Sequence, residues 1–234
     1  MSTLYVMNPN SSQTVTDGID AALDPLRPMA DGMGLRIACL TLSEGPPGIE
    51  SQAQADLVIP PLLSLADTRH DAAGFVIACF GDPGLHALRD RTTKPVLGIQ
   101  EAAVASALTL GQRFGVIAIL PASIPRHLRA FGAMGVMDRF AGDRALGLGV
   151  AALADETTTL DRMTEVGTQL RDRDGADVLI LGCAGMARYR LALETALGLP
   201  VIDPCQAATA TALGRIALDQ SHNPDHQPGD HHAR

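Results

Sequence analysis

The sequence predicts an α/β protein of two similar lobes, each with a four-stranded, mainly parallel sheet flanked by helices. The lobes are expected to be related by a pseudo-two-fold axis, with the functional site in the cleft between them. Three observations carry this. Short apolar runs alternate with helical stretches along the chain, the pattern of βαβ units with buried parallel strands. Two of the runs, VIACFGDPGL and VLILGCAGMA, place Cys79 and Cys183 at the end of a strand and before a glycine-containing turn. Finally, PVLGIQEAAVASAL (Pro95 to Leu108) aligns without gaps on PVIDPCQAATATAL (Pro200 to Leu213), which marks an internal repeat.

The elements follow in order. Leu4 to Met7 reads as a strand that runs into the NPNSS loop, where Ser11 or Ser12 is suited to cap a helix over Ser12 to Leu23. A strand over Leu35 to Leu42 precedes a helix over Gln52 to Asp67, then strands over Phe75 to Cys79 and Pro95 to Ile99 and a helix over Glu101 to Leu110. The second half opens on Phe114 to Leu120, whose VIAILPASIP segment weakly matches LYVMNPNSS. It continues with a helix over Arg126 to Met134, a strand over Gly147 to Leu153, and a helix over Thr157 to Asp172 begun by the acidic pair Asp155-Glu156. Strands over Val178 to Gly182 and Pro200 to Ile202 and a helix over Gln206 to Leu218 complete it. Residues 1–99 with 205–220 are assigned to the first lobe and 100–204 to the second. The remainder, 221–234, is polar and proline-rich and reads as a loose tail, whose histidines suit solvation better than metal binding.

Composition excludes several functions. With 234 residues and 46% hydrophobic content the chain can bury a sizeable core, and whole-chain disorder is excluded. No apolar run is long enough to span a membrane, and the N-terminus lacks the features of a secretory signal, so a cytoplasmic protein without a membrane partner is expected. A net charge of −8 without a basic cluster argues against nucleic acid. The four cysteines show neither CxxC spacing nor a Cys/His grouping, so no metal site and no disulfide frame is indicated. Lys94 is the only lysine and lies in a TTKP loop, which makes a pyridoxal phosphate Schiff base improbable. GxGxxG and GxxxxGK[ST] are both absent, and no cofactor is expected.

Chemistry concentrates at the two cysteines. In open α/β sheets, ligands bind beyond the carboxyl ends of the strands. A helix N-terminus next to such a position favours thiolate, so Cys79 and Cys183 are expected to be reactive. A single buried cysteine is more often a small core residue, but two at matched repeat positions favour catalysis. Cys39, inside LRIACLTL, keeps the core reading, and Cys205 is given no role.

These motifs resemble the Asp/Glu racemase superfamily, and within it the hydantoin and allantoin racemase branch. NPNSS, GPPGIES, VIACFGDPGL, PVLGIQEAA, VLILGCAGMA and LPVIDP fall in that family's order across nearly the whole globular part. Glutamate racemases carry Cys-Asn-Thr and Cys-Thr-His, whereas here Cys79 precedes Phe80-Gly81 and Cys183 precedes Ala184-Gly185, which suits a less charged, cyclic substrate. The resemblance implies racemisation of a cyclic ureide, a small-molecule substrate, with one thiolate as base and the facing thiol as acid. The backbone N–H groups of Phe80, Gly81, Ala184 and Gly185 are expected to face the enolate oxygen, and Pro9, Asn10, Ile49, Ser123 and Ile124 to line the pocket. Asn10 also has a plain reading as a turn former, Glu50 as the start of a helix, and Ile49 as core.

Relatives often have a threonine-rich stretch and an arginine where this chain has Ala118, Ile119 and Ala122, so fewer polar contacts to the ring are expected. An amino-acid racemase, an arylmalonate-type decarboxylase with one catalytic cysteine and a maleate isomerase are the alternatives within the superfamily. A two-lobed small-molecule binding protein is the alternative outside catalysis. A homo-oligomer is expected.

Overall fold

The computed structural model describes residues 2–222, so the tail expected over 221–234 lies almost wholly outside the described residues. Strands β1 (Ser2–Asn8), β2 (Leu35–Thr41), β3 (Ala72–Ile77) and β4 (Val96–Gly98) form a parallel sheet in the order β2-β1-β3-β4. Strands β5 (Phe114–Ala118), β6 (Phe140–Ala145), β7 (Val178–Leu181) and β8 (Val201–Ile202) form a second in the order β6-β5-β7-β8. The two orders are the same once β1 is matched to β5, so the sequence repeat is a repeat of topology. All pairings are parallel, with Met7 opposite Ile77 in the first sheet and Ile117 opposite Leu181 in the second.

The helices are α1 (Gln13–Ala22), α2 (Arg27–Gly32), α3 (Gln52–Leu57), α4 (Ile59–Asp67), α5 (Leu85–Arg89), α6 (Ile99–Leu110), α7 (Ile124–Met134), α8 (Glu156–Asp172), α9 (Arg190–Leu197) and α10 (Pro204–Ala217). Ser12 caps α1 by accepting from Val15 N at 3.3 Å, and Asp155 caps α8 by accepting from Thr158 N at 3.1 Å. Both caps satisfy backbone donors that have no partner within the helix.

Side-chain alternation along the strands divides the core into layers. Leu4, Val6, Val76 and Leu97 of the first sheet and Phe114, Val116, Val178 and Ile180 of the second share one buried cluster with α6 and α10. The alternate residues face outward: Tyr5, Met7, Phe75 and Ile77 pack with Leu62 and Leu63 of α4. Ile117, Leu179 and Leu181 pack with Met163 of α8 and Leu193 of α9. Strands buried on both faces have no polar side to show, which is why β1, β3, β5 and β7 read as unbroken apolar runs. Helices α6 and α10 pack against each other between the sheets, α10 on β3 and β4 and α6 on β7 and β5. Their facing residues include Ala102, Ala103, Ala107, Ala208 and Ala212, small enough for close approach. The alanine-rich character of the sequence repeat thus reflects central packing.

Two expected elements differ. The strand placed over Gly147 to Leu153 is instead a turn followed by a short 3₁₀ segment over Val150–Ala154, and the edge strand is Phe140–Ala145. Gly147 adopts φ +76°, which ends any strand there. Meanwhile FAGDRA, half-buried and paired only with β5, lacks the apolar run of an interior strand. The helix expected over Gln52 to Asp67 is broken at Val58, because Pro60 and Pro61 begin a new helix and cannot continue the old one.

One contact ties the cysteine turn to the central helices. In the repeat, Gly98 corresponds to Asp203. Asp203 caps α10 directly, its Oδ1 accepting from Gln206 N at 2.7 Å. Gly98 has no side chain to do this for α6, and Asp82 supplies the carboxylate from the turn after Cys79. Asp82 Oδ1 accepts from Gln100 N at 2.9 Å and Oδ2 from Glu101 N at 3.0 Å. A Cβ at Gly98 would lie 2.1 Å from the Asp82 carboxyl carbon, so that position must be glycine while Asp82 occupies the cap. Burial pushes the Asp82 carboxyl up to about 7 and that of Asp203 up to about 6, against the opposing effect of the backbone N–H bonds.

Gly98→Ala is expected to destabilise the protein by about 1–3 kcal/mol through overpacking. In an Asp82→Ala background the same change should cost much less, because the clashing group is gone. Denaturant unfolding of the four proteins of this cycle measures the coupling, and equal costs in both backgrounds would contradict the assigned contact.

Candidate active site

The carboxyl ends of β1, β3, β5 and β7 converge on one small cavity of about 30 Å³. β1 delivers Asn10, β3 delivers Cys79 and Phe80, β5 delivers Ile119 and Ser123, and β7 delivers Gly182, Cys183, Ala184 and Gly185. Ile49, from the loop after β2, completes the first-sheet side. Cys79 and Cys183 therefore reach a shared cavity from equivalent strands of the two sheets, and each remains partly accessible. Cys205 is fully buried among core residues and does not line the cavity.

Of the residues expected at the site, Asn10, Ile49, Phe80, Ser123, Ala184 and Gly185 line this cavity with the two cysteines. Pro9, Gly81 and Ile124 are not among the lining residues. Gly81 has φ +141°, so its contribution is to the turn itself. Pro9 lies in the bend between Asn8 and Asn10, and Ile124 is the first residue of α7.

Asn10 does more than shape a turn. Its side-chain oxygen accepts from Ser12 N at 2.9 Å and from Asn8 Nδ2 at 3.0 Å. Among the described residues its own NH₂ has no hydrogen-bond partner, which leaves a donor at the cavity wall. Ile49 belongs to a cluster with Leu42, Ala55 and Val58, and Cys79 packs on it, so core and wall are the same residue here. Phe80 is held from behind by the His127 ring, edge-on at 4.9 Å, and His127 Nδ1 in turn lies 2.7 Å from Asp143 Oδ2 of β6.

Sequence reasoning missed Val15, Ala78, Arg126, Val150 and Gly182 at this cavity. Arg126 lies one helical turn beyond Ser123, which the resemblance placed at the pocket, so the i, i+3 spacing from Ser123 was the available signal. It supplies a polar contact where Ala118, Ile119 and Ala122 led to the expectation of fewer. Glu50, read as the start of a helix, instead bridges the lobes: its Oε1 accepts from Val150 N at 2.9 Å, while Ser51 caps α3. Val15, Val150 and Gly185 are shared with a wider outer recess of about 400 Å³ lined by Ser11, Ser12, Thr14 and Arg188.

Burial dominates the thiol electrostatics. The Cys79 thiol is pushed far up from its ordinary value, first by burial and then by the neighbouring charge of Cys183. The Cys183 thiol is pushed up to about 11, also by burial, although the Gly185 N–H donates to its sulfur and acts in the other direction. The expected thiolate stabilisation by an adjacent helix N-terminus therefore does not prevail. For Cys79 the geometry explains this, since α5 begins only at Leu85.

Two matching α/β lobes with a cavity at the ends of equivalent strands, taken with the relatives that share them, place the chain among racemase-class enzymes. The chain belongs to the Asp/Glu/hydantoin racemase family, whose model matches residues 4–212. It is 34% identical over 221 residues to the hydantoin racemase of Paenarthrobacter aurescens, covering 92% of this chain and 91% of that one. It is 35% identical over 203 residues to the hydantoin racemase of a Pseudomonas strain, covering 86% and 80%. The allantoin racemase from Klebsiella pneumoniae has a matching structure, with a TM-score of 0.86 at 31% identity, covering 94% of this chain and 90% of that chain.

With Cys183 at about 11, its thiolate fraction in the free protein is expected to rise with pH throughout the range below that value. Iodoacetamide labelling of Cys183, followed by peptide mass spectrometry, should accelerate about tenfold per pH unit at moderately alkaline pH. A rate that is already flat from neutral pH upward would contradict the raised value.

Proposed function

We propose that this protein racemises cyclic ureides, 5-substituted hydantoins or allantoin, by proton transfer between Cys79 and Cys183. The observation that supports this most is the placement of these two partly accessible thiols in one cavity, each at the end of an equivalent strand. A single base can exchange a proton on one face of a ring, but inversion needs a donor on the other face.

The reaction needs one thiolate and one thiol. The thiolate takes the proton from the ring chiral carbon, and the electron pair of that C–H bond moves into the adjacent carbonyl to give an enolate. The facing thiol then delivers its proton to the opposite face and becomes the thiolate. The two cysteines exchange states with each turnover, so the pair titrates as a unit. Burial that raises a thiol also makes its thiolate a stronger base, which suits a weak carbon acid.

The walls suit a largely apolar ring with one polar edge. Ile49, Phe80, Ile119, Ala184 and Val150 are apolar, Asn10 and Ser123 are neutral polar groups, and Arg126 is the one charged side chain that lines the cavity. At about 30 Å³ the inner cavity holds little more than water, so a ring needs it to widen, and Val15, Val150 and Gly185 are the residues it shares with the outer recess. The outer recess of about 400 Å³ on their other side is the natural place for the ring substituent.

Cys79→Ser and Cys183→Ser are each expected to lower racemisation of a 5-substituted hydantoin or allantoin by about 100- to 10,000-fold, while the far-UV circular dichroism stays unchanged. Polarimetry from each pure enantiomer measures this. Near-full turnover by either variant would remove the two-thiol assignment, and inactivity of the wild-type protein on every ureide would remove the substrate assignment.

A further inference from the structure

Arg126 is the third residue of α7 and lines the cavity beside Cys79 and Ser123. Its described partners are all neutral and all distant for hydrogen bonds. Nη1 donates to Glu50 O at 3.3 Å and Ala122 O at 3.2 Å, and Nη2 to Ser123 Oγ at 3.4 Å. Arg27, Arg89, Arg144 and Arg190, also partly buried, each hold a carboxylate. Among the described residues no carboxylate pairs with Arg126. A partly buried guanidinium without a counter-ion is unfavourable until an anion arrives.

The cavity also has a shortage that Arg126 can fill. An enolate oxygen needs preorganised donors, and among the side chains that line the cavity only Asn10, Ser123 and Arg126 carry a nitrogen or oxygen donor. The carbonyl of Glu50 belongs to the loop after β2 and Ser123 to the loop after β5, so the guanidinium is held from both lobes at the cavity edge. Fixed donors of this kind need no reorganisation as charge develops.

We infer that Arg126 is the oxyanion-receiving side chain of the cavity, its guanidinium donating to the enolate oxygen of the bound ring on the Cys79 side. This deepens the cyclic-ureide reading and rests on it for the identity of the oxygen. The same positive charge bears on Cys79, whose thiolate Arg126 favours against the stronger effect of burial. The two thiols are therefore affected unequally: the guanidinium favours the Cys79 thiolate and the Gly185 N–H the Cys183 thiolate.

Charge-selective alkylation tests this without a substrate. Iodoacetate and iodoacetamide deliver similar groups, one as an anion and one neutral, and peptide mass spectrometry reads Cys79 and Cys183 separately. The iodoacetate-to-iodoacetamide rate ratio should be higher at Cys79 than at Cys183 or in free cysteine. In Arg126→Gln it should fall about tenfold at Cys79, with little change at Cys183. Arg126→Lys, which keeps the charge and loses the planar fork, should retain the ratio.

In turnover of a 5-substituted hydantoin, Arg126→Gln should lower kcat about 100-fold or more, with a smaller change in KM, and Arg126→Lys should recover part of the loss. A wild-type ratio at Cys79 no higher than at Cys183 overturns the inference and needs no variant to be seen. An unchanged ratio and kcat in Arg126→Gln also overturn it, leaving Arg126 as a tie between the lobes. If the ratio behaves as expected but wild-type protein racemises no ureide, the substrate reading falls and the anion-receiving site stands.

Discussion

The structure depends on two helices packed against each other between two sheets. Helices α6 and α10 bury their alanine faces together, and each contacts both its neighbour and a sheet, so one continuous apolar layer joins the lobes. Their N-termini lie next to the cleft and both require an acceptor. Asp203 provides it from the cap position of α10, while Asp82 reaches α6 from the turn that follows Cys79. Chain order differs, but the physical solution is the same: a buried carboxylate accepts from the first free N–H groups of a helix. The position of Cys79 is thereby coupled to the packing that holds the lobes together.

That coupling explains what could be read from the sequence. Parallel strands buried on both faces must be nearly continuous apolar runs, so β1, β3, β5 and β7 were legible. The cavity-lining positions that follow those strands, Asn10, Cys79, Ser123 and Cys183, were legible with them. The repeat was visible in its alanines, because α6 and α10 occupy equivalent places between the sheets. Edge strand β6 was hidden, since its one paired side and half-buried residues give no apolar run, while the GLGVAAL segment nearby is apolar but turned at Gly147. Contacts made across the lobes left no local trace: nothing around Glu50 announces Val150, and nothing around Gly98 announces Asp82. Arg126 had a local signal in its spacing from Ser123, but its hydrogen bond to Glu50 O in the other lobe had none.

The cavity combines low polarity with few donors. Burial holds both thiols up, and the polar groups available at the wall are Asn10, Ser123, Arg126 and backbone N–H. Such a site can stabilise negative charge that appears during reaction, because preorganised donors act strongly where water is excluded. Glu50 and Arg126 each make a hydrogen bond across the cleft, so closure of the lobes and completion of the site are linked.

The central claim is that one thiol removes the proton and the other returns a different one. The most direct measurement is early-time turnover of each pure enantiomer of a hydantoin in heavy water, with chiral separation and isotopic analysis of both enantiomers. Two-thiol transfer predicts deuterium in the newly formed enantiomer and protium in the unreacted one, in both directions. Deuterium entering the starting enantiomer as fast as the product, or protium carried through into the product, would contradict it and point to a single base.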